Sequence, residues 1–277
     1  MLILIPRLDT HPFLLSPHQS RQGAVQAGVL DLLAVLHEVD LHPRWMPHTM
    51  GVGVRKGCTR ARLGLTKLWI EVEVDCPWPV SDRRASLVVD GVDCLDGEPG
   101  RLRQIVVLMR SVDTAEDVVR AVDGARLPEG YATLPEGAAP TTDDGCVLAG
   151  VELGGFILTP AELNPQLGLP PRGTLVQLAA RIDPRMRALP ACAINIGIKH
   201  LAHHILEAMS DMATRVAEDE EYQRACARTP EFYDFIRGRL DEALAEEASA
   251  PVGVEGEDKP GHAATAEVGV AAMAANE

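Results

Sequence analysis

Between His42 and Ile70 the chain contains no aspartate or glutamate, although Arg44, Arg55, Lys56, Arg60, Arg62 and Lys67 all fall inside that window and the whole protein carries a formal charge of -14. Long apolar runs are missing as well. None reaches the roughly 18 to 20 residues that a bilayer-crossing helix needs, and Met1-Leu2-Ile3-Leu4-Ile5-Pro6 is too short, and lacks the basic start, for a signal peptide. We therefore expect no membrane partner and a cytoplasmic location. The six cysteines (Cys58, Cys76, Cys94, Cys146, Cys192 and Cys226) never lie within four residues of one another, which excludes a CxxC zinc knuckle or redox pair and leaves packed, reduced thiols. Nucleophile and phosphate motifs are absent too: there is no G-x-S-x-G elbow, no Walker loop and no H-E-x-x-H. Gly51-x-Gly53-x-x-x-Gly57 misses the dinucleotide fingerprint by one residue. These absences point to a protein that is not an enzyme and carries no cofactor.

What is present is enough for a full core. The chain has 277 residues, 46% of them hydrophobic, with mean hydropathy near zero. Charge is divided unevenly: residues 1–112 hold 13 Lys+Arg against 12 Asp+Glu, residues 113–277 hold 13 against 28. The acidity lies in the second half, so an anionic partner for the first is not excluded. In the basic window glycines interleave with the bases from Gly51 to Gly64, so backbone amides can come close to a polyanion. The alternative is a basic hairpin paired with acidic groups elsewhere on the surface.

Periodicity predicts a short strand at Leu2–Ile5, then a helix from about Gln22 to His37 capped by Ser20. Leu68, Ile70, Val72 and Val74 alternate with Trp69, Glu71 and Glu73, the clearest strand pattern in the chain, which Pro77 ends. Strands are also expected at 87–89, 105–109, 146–150, 155–158 and 174–180, with a helix near 115–122. From about Ala193 the pattern becomes helical, with helices to roughly Ala217, from Glu218 to Ala227, and from Pro230 to about Glu247. The order β-α-β-β, then β-α-β-β, reads as an α+β fold with a ferredoxin-like (RRM-like) core, single or duplicated, followed by a C-terminal helical region. The corresponding divisions are residues 1–124, an RNA-binding half; 125–192, a second strand-rich half; 193–247, helical; and 248–277, a disordered tail of Ala, Gly, Glu and Pro.

Two constellations bear on chemistry. His200, His203, His204 and Glu207, with Asp211 one turn on, have spacings that can hold a transition metal, His200, His204 and Glu207 being the candidate ligands. Against this, Ile198, Leu201, Ile205, Met209 and Met212 form the apolar stripe of the same helix, so the histidines point to the opposite, solvated face. His11, His18, His37, His42 and His48 carry no ligand spacing, and Asp90, Asp93 and Asp96 are spaced as solvated turn carboxylates. The second constellation is the basic segment followed by Trp69. An aromatic beside arginines stacks a base while guanidinium groups hold phosphates, unless a second layer packs over the ring.

Ile5-Pro6-Arg7-Leu8, Ser16-Pro17, the helix Ala24 to Ala34, Met50-Gly51-Val52-Gly53-Val54 with Lys67 to Val74, and Leu153 to Leu158 occur in an order that resembles the RAMP superfamily of CRISPR-associated proteins. Within it the similarity is to the subunits that cap the 5′ handle of the guide RNA in type I-F surveillance complexes. The resemblance implies a non-catalytic, RNA-binding subunit of a ribonucleoprotein complex with guide RNA and other protein subunits as partners. The RNA contacts would be Arg44, Arg55, Lys56, Arg60, Arg62, Lys67 and Trp69. Two other expectations stand beside it: a structural or assembly protein of a virus or mobile element, whose basic loop meets an acidic neighbour, and a metal-dependent hydrolase built on the His/Glu cluster.

Overall fold

In a computed structural model the chain is described over residues 2–4, 23–46, 51–96, 101–123, 145–186 and 191–249. Its frame is one nine-stranded sheet. The strands are β1 (Leu2–Leu4), β2 (Ala24–Val25), β3 (Gly53–Arg62), β4 (Lys67–Asp75), β5 (Arg83–Cys94), β6 (Gln104–Ser111), β7 (Val147–Leu148), β8 (Gly150–Pro160) and β9 (Thr174–Asp183). Their spatial order is β1-β9-β8-β6-β5-β4-β3, with β2 added on β9 and β7 on β5. Every neighbouring pair is antiparallel except β1 with β9 and β7 with β5.

The period-two alternation seen in the sequence places Leu68 and Ile70 on one face of β4, in a cluster with Val39, Leu87 and Val151. Trp69 goes to the other face. There it packs with Ala61, Leu63, Val88 and Val112 beneath Val118 and Ala121 of helix α3 (Ala115–Asp123). The remaining helices are α1 (Val29–His37), α2 (His42–Trp45), α4 (Ala191–Ala213), α5 (Glu220–Cys226) and α6 (Pro230–Ser249). The largest core cluster joins α1, α4, α5 and α6 to Ile105, Val107, Phe156, Leu158, Val176 and Leu178 of the sheet. Helix α6 explains its own burial: Pro230 opens it, and Phe232, Tyr233, Ile236, Leu240 and Ala243 recur at helical spacing as one buried stripe.

The ferredoxin-like expectation is corrected. Such a core needs a helical crossover between parallel strands, whereas β3, β4, β5 and β6 are a meander of antiparallel neighbours. The supposed second copy does not close on itself either, because β8 pairs with β6 and β9 with β8, extending the same sheet. The architecture is a large, mostly antiparallel sheet with the C-terminal helices packed against it. Helix α1 begins at Val29 rather than near Gln22. Ala24 and Val25 find backbone partners on β9 instead, and Gly28, in extended conformation, caps the helix that follows. Ser20, the expected cap, lies outside the described residues, as do Pro6 to Leu8, Ser16-Pro17 and most of the C-terminal tail.

Candidate ligand cleft

Where α6 and α1 lie over the sheet, packing is incomplete. A cleft remains between them, with a void of about 60 Å³ at its centre and about 680 Å³ of space out to its open mouth. Its walls come from Leu33, Leu36 and His37 of α1, from Leu68, Ile70, Val89, Ile105 and Val107 of the central strands, and from Phe232, Phe235 and Ile236 of α6. Water gains little in an apolar void of this kind, and an apolar guest recovers the missing dispersion contacts.

Charged and ring polar groups sit at two places, and Thr66 adds a hydroxyl to the wall that donates to Asp90 Oδ1 at 3.3 Å. At the mouth Arg239 of α6 is bound on three sides: Nε to Asp93 at 2.5 Å, Nη2 to Asp96 at 2.7 Å and Nη1 to Glu242 at 2.6 Å. Phe235 and Val92, 38% and 39% exposed, flank the opening. Arg239 thus latches α6 to the end of β5, and the carboxylates around it outnumber it. At the inner end His37 stacks flat on Phe232, with ring centroids 4.1 Å apart, and its Nδ1 lies 2.9 Å from Glu38 Oε1. Tyr233 Oη donates to the same carboxylate oxygen at 2.7 Å, so Glu38 ties α1 to α6. Burial pushes the Glu38 carboxyl upward, but the hydrogen bonds from His37 and Tyr233 and the fields of His37 and Arg62 outweigh it, and it stays below its ordinary range.

The residues expected to contact RNA are placed as follows. Arg55, Lys56, Arg60 and Arg62 lie on β3, the edge strand, whose register shifts between Val54 and Lys56 and again between Thr59 and Ala61. Charged side chains and bulges are the usual means of keeping a sheet edge from pairing further. Arg55 meets Glu73, Asp75 and Asp82 at 3.0 to 3.1 Å. Arg60 lies 3.6 Å from Glu71 and over the Trp69 ring at 5.6 Å. Lys67 faces Asp90 at 3.8 Å, and Lys56 is exposed. Arg44 is elsewhere, on α2, making a two-pronged bond to Asp219 at 2.9 and 2.7 Å and reaching Glu221 at 2.8 Å. Trp69 has no exposed surface, and its Nε1 donates to Ser86 Oγ at 2.8 Å.

His203 and His204 share Glu207 at 3.3 and 3.4 Å on an open helix face, where all three side chains are 41 to 60% exposed. His200 is on the same helix, and its side chain lies outside the described residues, like those of His11, His18 and His48. Among the described residues no group of three His, Cys, Asp or Glu side chains is placed to hold a metal. Asp93 and Asp96, read as solvated turn carboxylates, are the mouth partners of Arg239. His37, Phe232, Ile236 and Arg239 were not singled out by sequence reasoning. The helix was expected from Pro230 to about Glu247, but nothing local showed that part of it faces a void.

No protein-family model matches the chain, and no curated protein matches it. Solved structures similar to it include human STARD10, at 16% identity and TM-score 0.49 over 69% of this chain, and the lipid transfer and protein localization domain of human StarD13, at 14% and 0.43 over 68%. A STAR-related lipid transfer protein from Xanthomonas axonopodis follows at 16% and 0.44 over 69%. The match spans 60% of the STARD10 chain, 73% of the StarD13 domain and 82% of the Xanthomonas protein.

The RAMP resemblance, the RNA-binding function and the guide-RNA partnership are corrected accordingly. The antiparallel meander of β3 to β6 lacks the helical crossover that the expected ferredoxin-like core requires. Arg55 and Arg60 pair with acids of the neighbouring strand β4, Arg44 with acids of and beside α5, and the stacking ring is sealed under α3. The assembly-protein expectation loses its ground as well, since the acidic neighbour of the basic segment belongs to the same chain. The hydrolase expectation is not supported by an open helix face without a cleft.

Proposed function

We propose that this chain binds one apolar small molecule in the cleft between α6 and the sheet. The observation that carries this is the cleft itself: apolar walls from three layers of the fold, a void left unfilled in an otherwise packed core, and an opening beside Phe235 and Val92. The acidic surplus around Arg239 disfavours an anionic group on the guest at the mouth end. The walls are drawn from residues 33 through 239, so in this reading the segments act as a single binding unit. The five described cysteines are free thiols, which suits the reducing cytoplasm we propose as its compartment. Among the described residues no helix is long and apolar enough to cross a membrane.

The test is a titration with Nile red, a neutral apolar fluorophore. Wild-type protein should bind it saturably with one-to-one stoichiometry. Val92→Trp, which fills the mouth, and Ile236→Trp, which fills the interior, should each weaken binding about tenfold or more, in line with the roughly 1 to 3 kcal/mol that overpacking costs. Failure of the wild type to bind, or wild-type affinity retained by both folded variants, would overturn the proposal.

A further inference from the structure

Trp78 is the most exposed large apolar side chain among the described residues, at 92%, whereas the chain's other two tryptophans, Trp45 and Trp69, are buried. It stands at the tip of the turn between β4 and β5, with exposed Pro77 and Pro79 on either side. The tip is held from below. Val80 N donates to the Pro77 carbonyl at 2.9 Å, Cys76 N to Asp82 Oδ1 at 3.0 Å, and Arg83 Nη1 to the Ser81 carbonyl. Gly51 abuts the turn so closely that a Cβ built on it would stand 3.2 Å from Pro77 Cβ. A ring displayed on a fixed turn has less freedom to lose when a partner covers it.

We propose that the Pro77-Trp78-Pro79 tip docks the protein on the surface of a zwitterionic lipid bilayer, with the indole at the level of the headgroups. Indole suits that depth because its apolar body leaves water while its N–H stays hydrated. The backbone suits it too. Of residues 77–80, two are prolines without an amide and the Val80 amide is bonded within the turn, so only the Trp78 amide is left for the headgroup layer to satisfy. Charge selects the kind of surface. Beneath the tip Glu73, Asp75 and Asp82 meet Arg55, Arg84 reaches Glu73 at 2.8 Å, and Arg83 stands beside them, so acids and bases balance at this end of the sheet. A balanced base neither attracts nor repels a zwitterionic surface, whereas the formal charge of -14 opposes an anionic one. A protein partner fits less well, since such interfaces are built round a core of several apolar residues. The other large exposed hydrophobics lie on other elements, Val92 and Phe235 at the cleft mouth and Val119 on α3. Val92 is near the far end of β5, roughly 30 Å from the tip. The contact therefore goes beyond the proposed ligand site and leaves its mouth uncovered, and a peripheral contact needs no spanning helix.

The experiment follows tryptophan fluorescence of the full chain during titration with phosphatidylcholine vesicles. Because Trp45 and Trp69 are buried, Trp78 is the indole that water and iodide reach. Emission should move to the blue and saturate with lipid, iodide should lose access, and phosphatidylcholine brominated on its acyl chains should quench. Trp78→Ala removes a side chain that the fold barely covers, so it should keep the wild-type circular dichroism and Nile red titration while its vesicle affinity falls about tenfold or more. Emission unmoved by vesicles overturns the proposal, as does vesicle binding that Trp78→Ala retains. A blue shift that grows with protein concentration in the absence of lipid also overturns it, assigning the tip to a second copy of the chain. The Nile red result stands or falls separately, so loss of the tip's role leaves the cleft reading intact.

Discussion

Gly57 of β3 lies so close to Val39 that a Cβ built on the glycine would stand 2.2 Å from the Val39 carbonyl oxygen. The short 3₁₀ turn at Val39–Leu41, which follows α1, therefore presses directly on the edge strand. This glycine is a packing contact and not a seat for a polyanion. Gly57→Ala has to move backbone and should lose about 2 kcal/mol or more in urea unfolding. Gly64→Ala, whose Cβ would meet Lys67 Cβ at 3.5 Å and Lys67 N at 4.0 Å, both ordinary contacts, should stay within about 1 kcal/mol of wild type. Equal midpoints for the two variants would show that the contact at Val39 yields.

The Trp69–Ser86 bond is buried under α3 and accessible to a double-mutant cycle. Trp69→Phe and Ser86→Ala should each destabilise by about 1 to 2 kcal/mol, with a coupling of about 1 kcal/mol between them. Additive losses would mean that the hydrogen bond contributes nothing beyond packing.

The sequence pattern revealed elements better than their partners. Alternation at Leu68 to Val74 located β4, and Pro230 as a first-turn residue located α6, because both are local signals. The acid-free window misled for the same reason. It covers β3 and only the start of β4, while the compensating Glu71, Glu73 and Asp75 follow on the rest of β4. Antiparallel pairing then sets Lys56 opposite Glu73 and Cys58 opposite Glu71. A linear count separates charges that the hairpin brings together. Trp69 shows the same limit: its neighbours Val118 and Ala121 are some fifty residues away in sequence. The cleft was illegible because a void is a failure of packing between distant elements.

His42 should make stability depend on pH. Burial pushes its imidazole down to about 4 from an ordinary 6.5, despite the hydrogen bond to the Leu36 carbonyl at 3.2 Å. Between those values the unfolded chain binds the proton and the folded one does not, so stability is full above pH 6.5 and declines as pH falls toward 4. The loss is on the order of 3 kcal/mol at most. His42→Gln should be less stable at neutral pH and should lack this part of the slope. An unchanged slope would place the titration elsewhere.

Asp219 caps α5, accepting from the Glu221 and Tyr222 amides, and pairs with Arg44. The Arg44 hydrogen bond, with the helix amides, lowers its carboxyl to about 2 against an ordinary 3.8. A depressed carboxyl stabilises above its unfolded value and stops doing so as pH drops through the folded one. Asp219→Ala should cost about 1 kcal/mol at neutral pH through loss of the cap, and Asp219→Asn less. The gap between wild type and Asp219→Asn should close as pH falls from 3.8 toward 2. A gap that persists at the acid end would assign it to capping alone.

Photolabelling with a decanol that carries a diazirine on its chain reports most directly on whether a guest lies between α6 and the sheet. After irradiation and peptide mapping, saturable label should fall on Phe232 to Arg239 and on the facing β4, β5 and β6 residues, and unlabelled decanol should suppress it. Label that does not saturate, or that collects away from the cleft, for example at the exposed Trp78, would contradict a ligand site there.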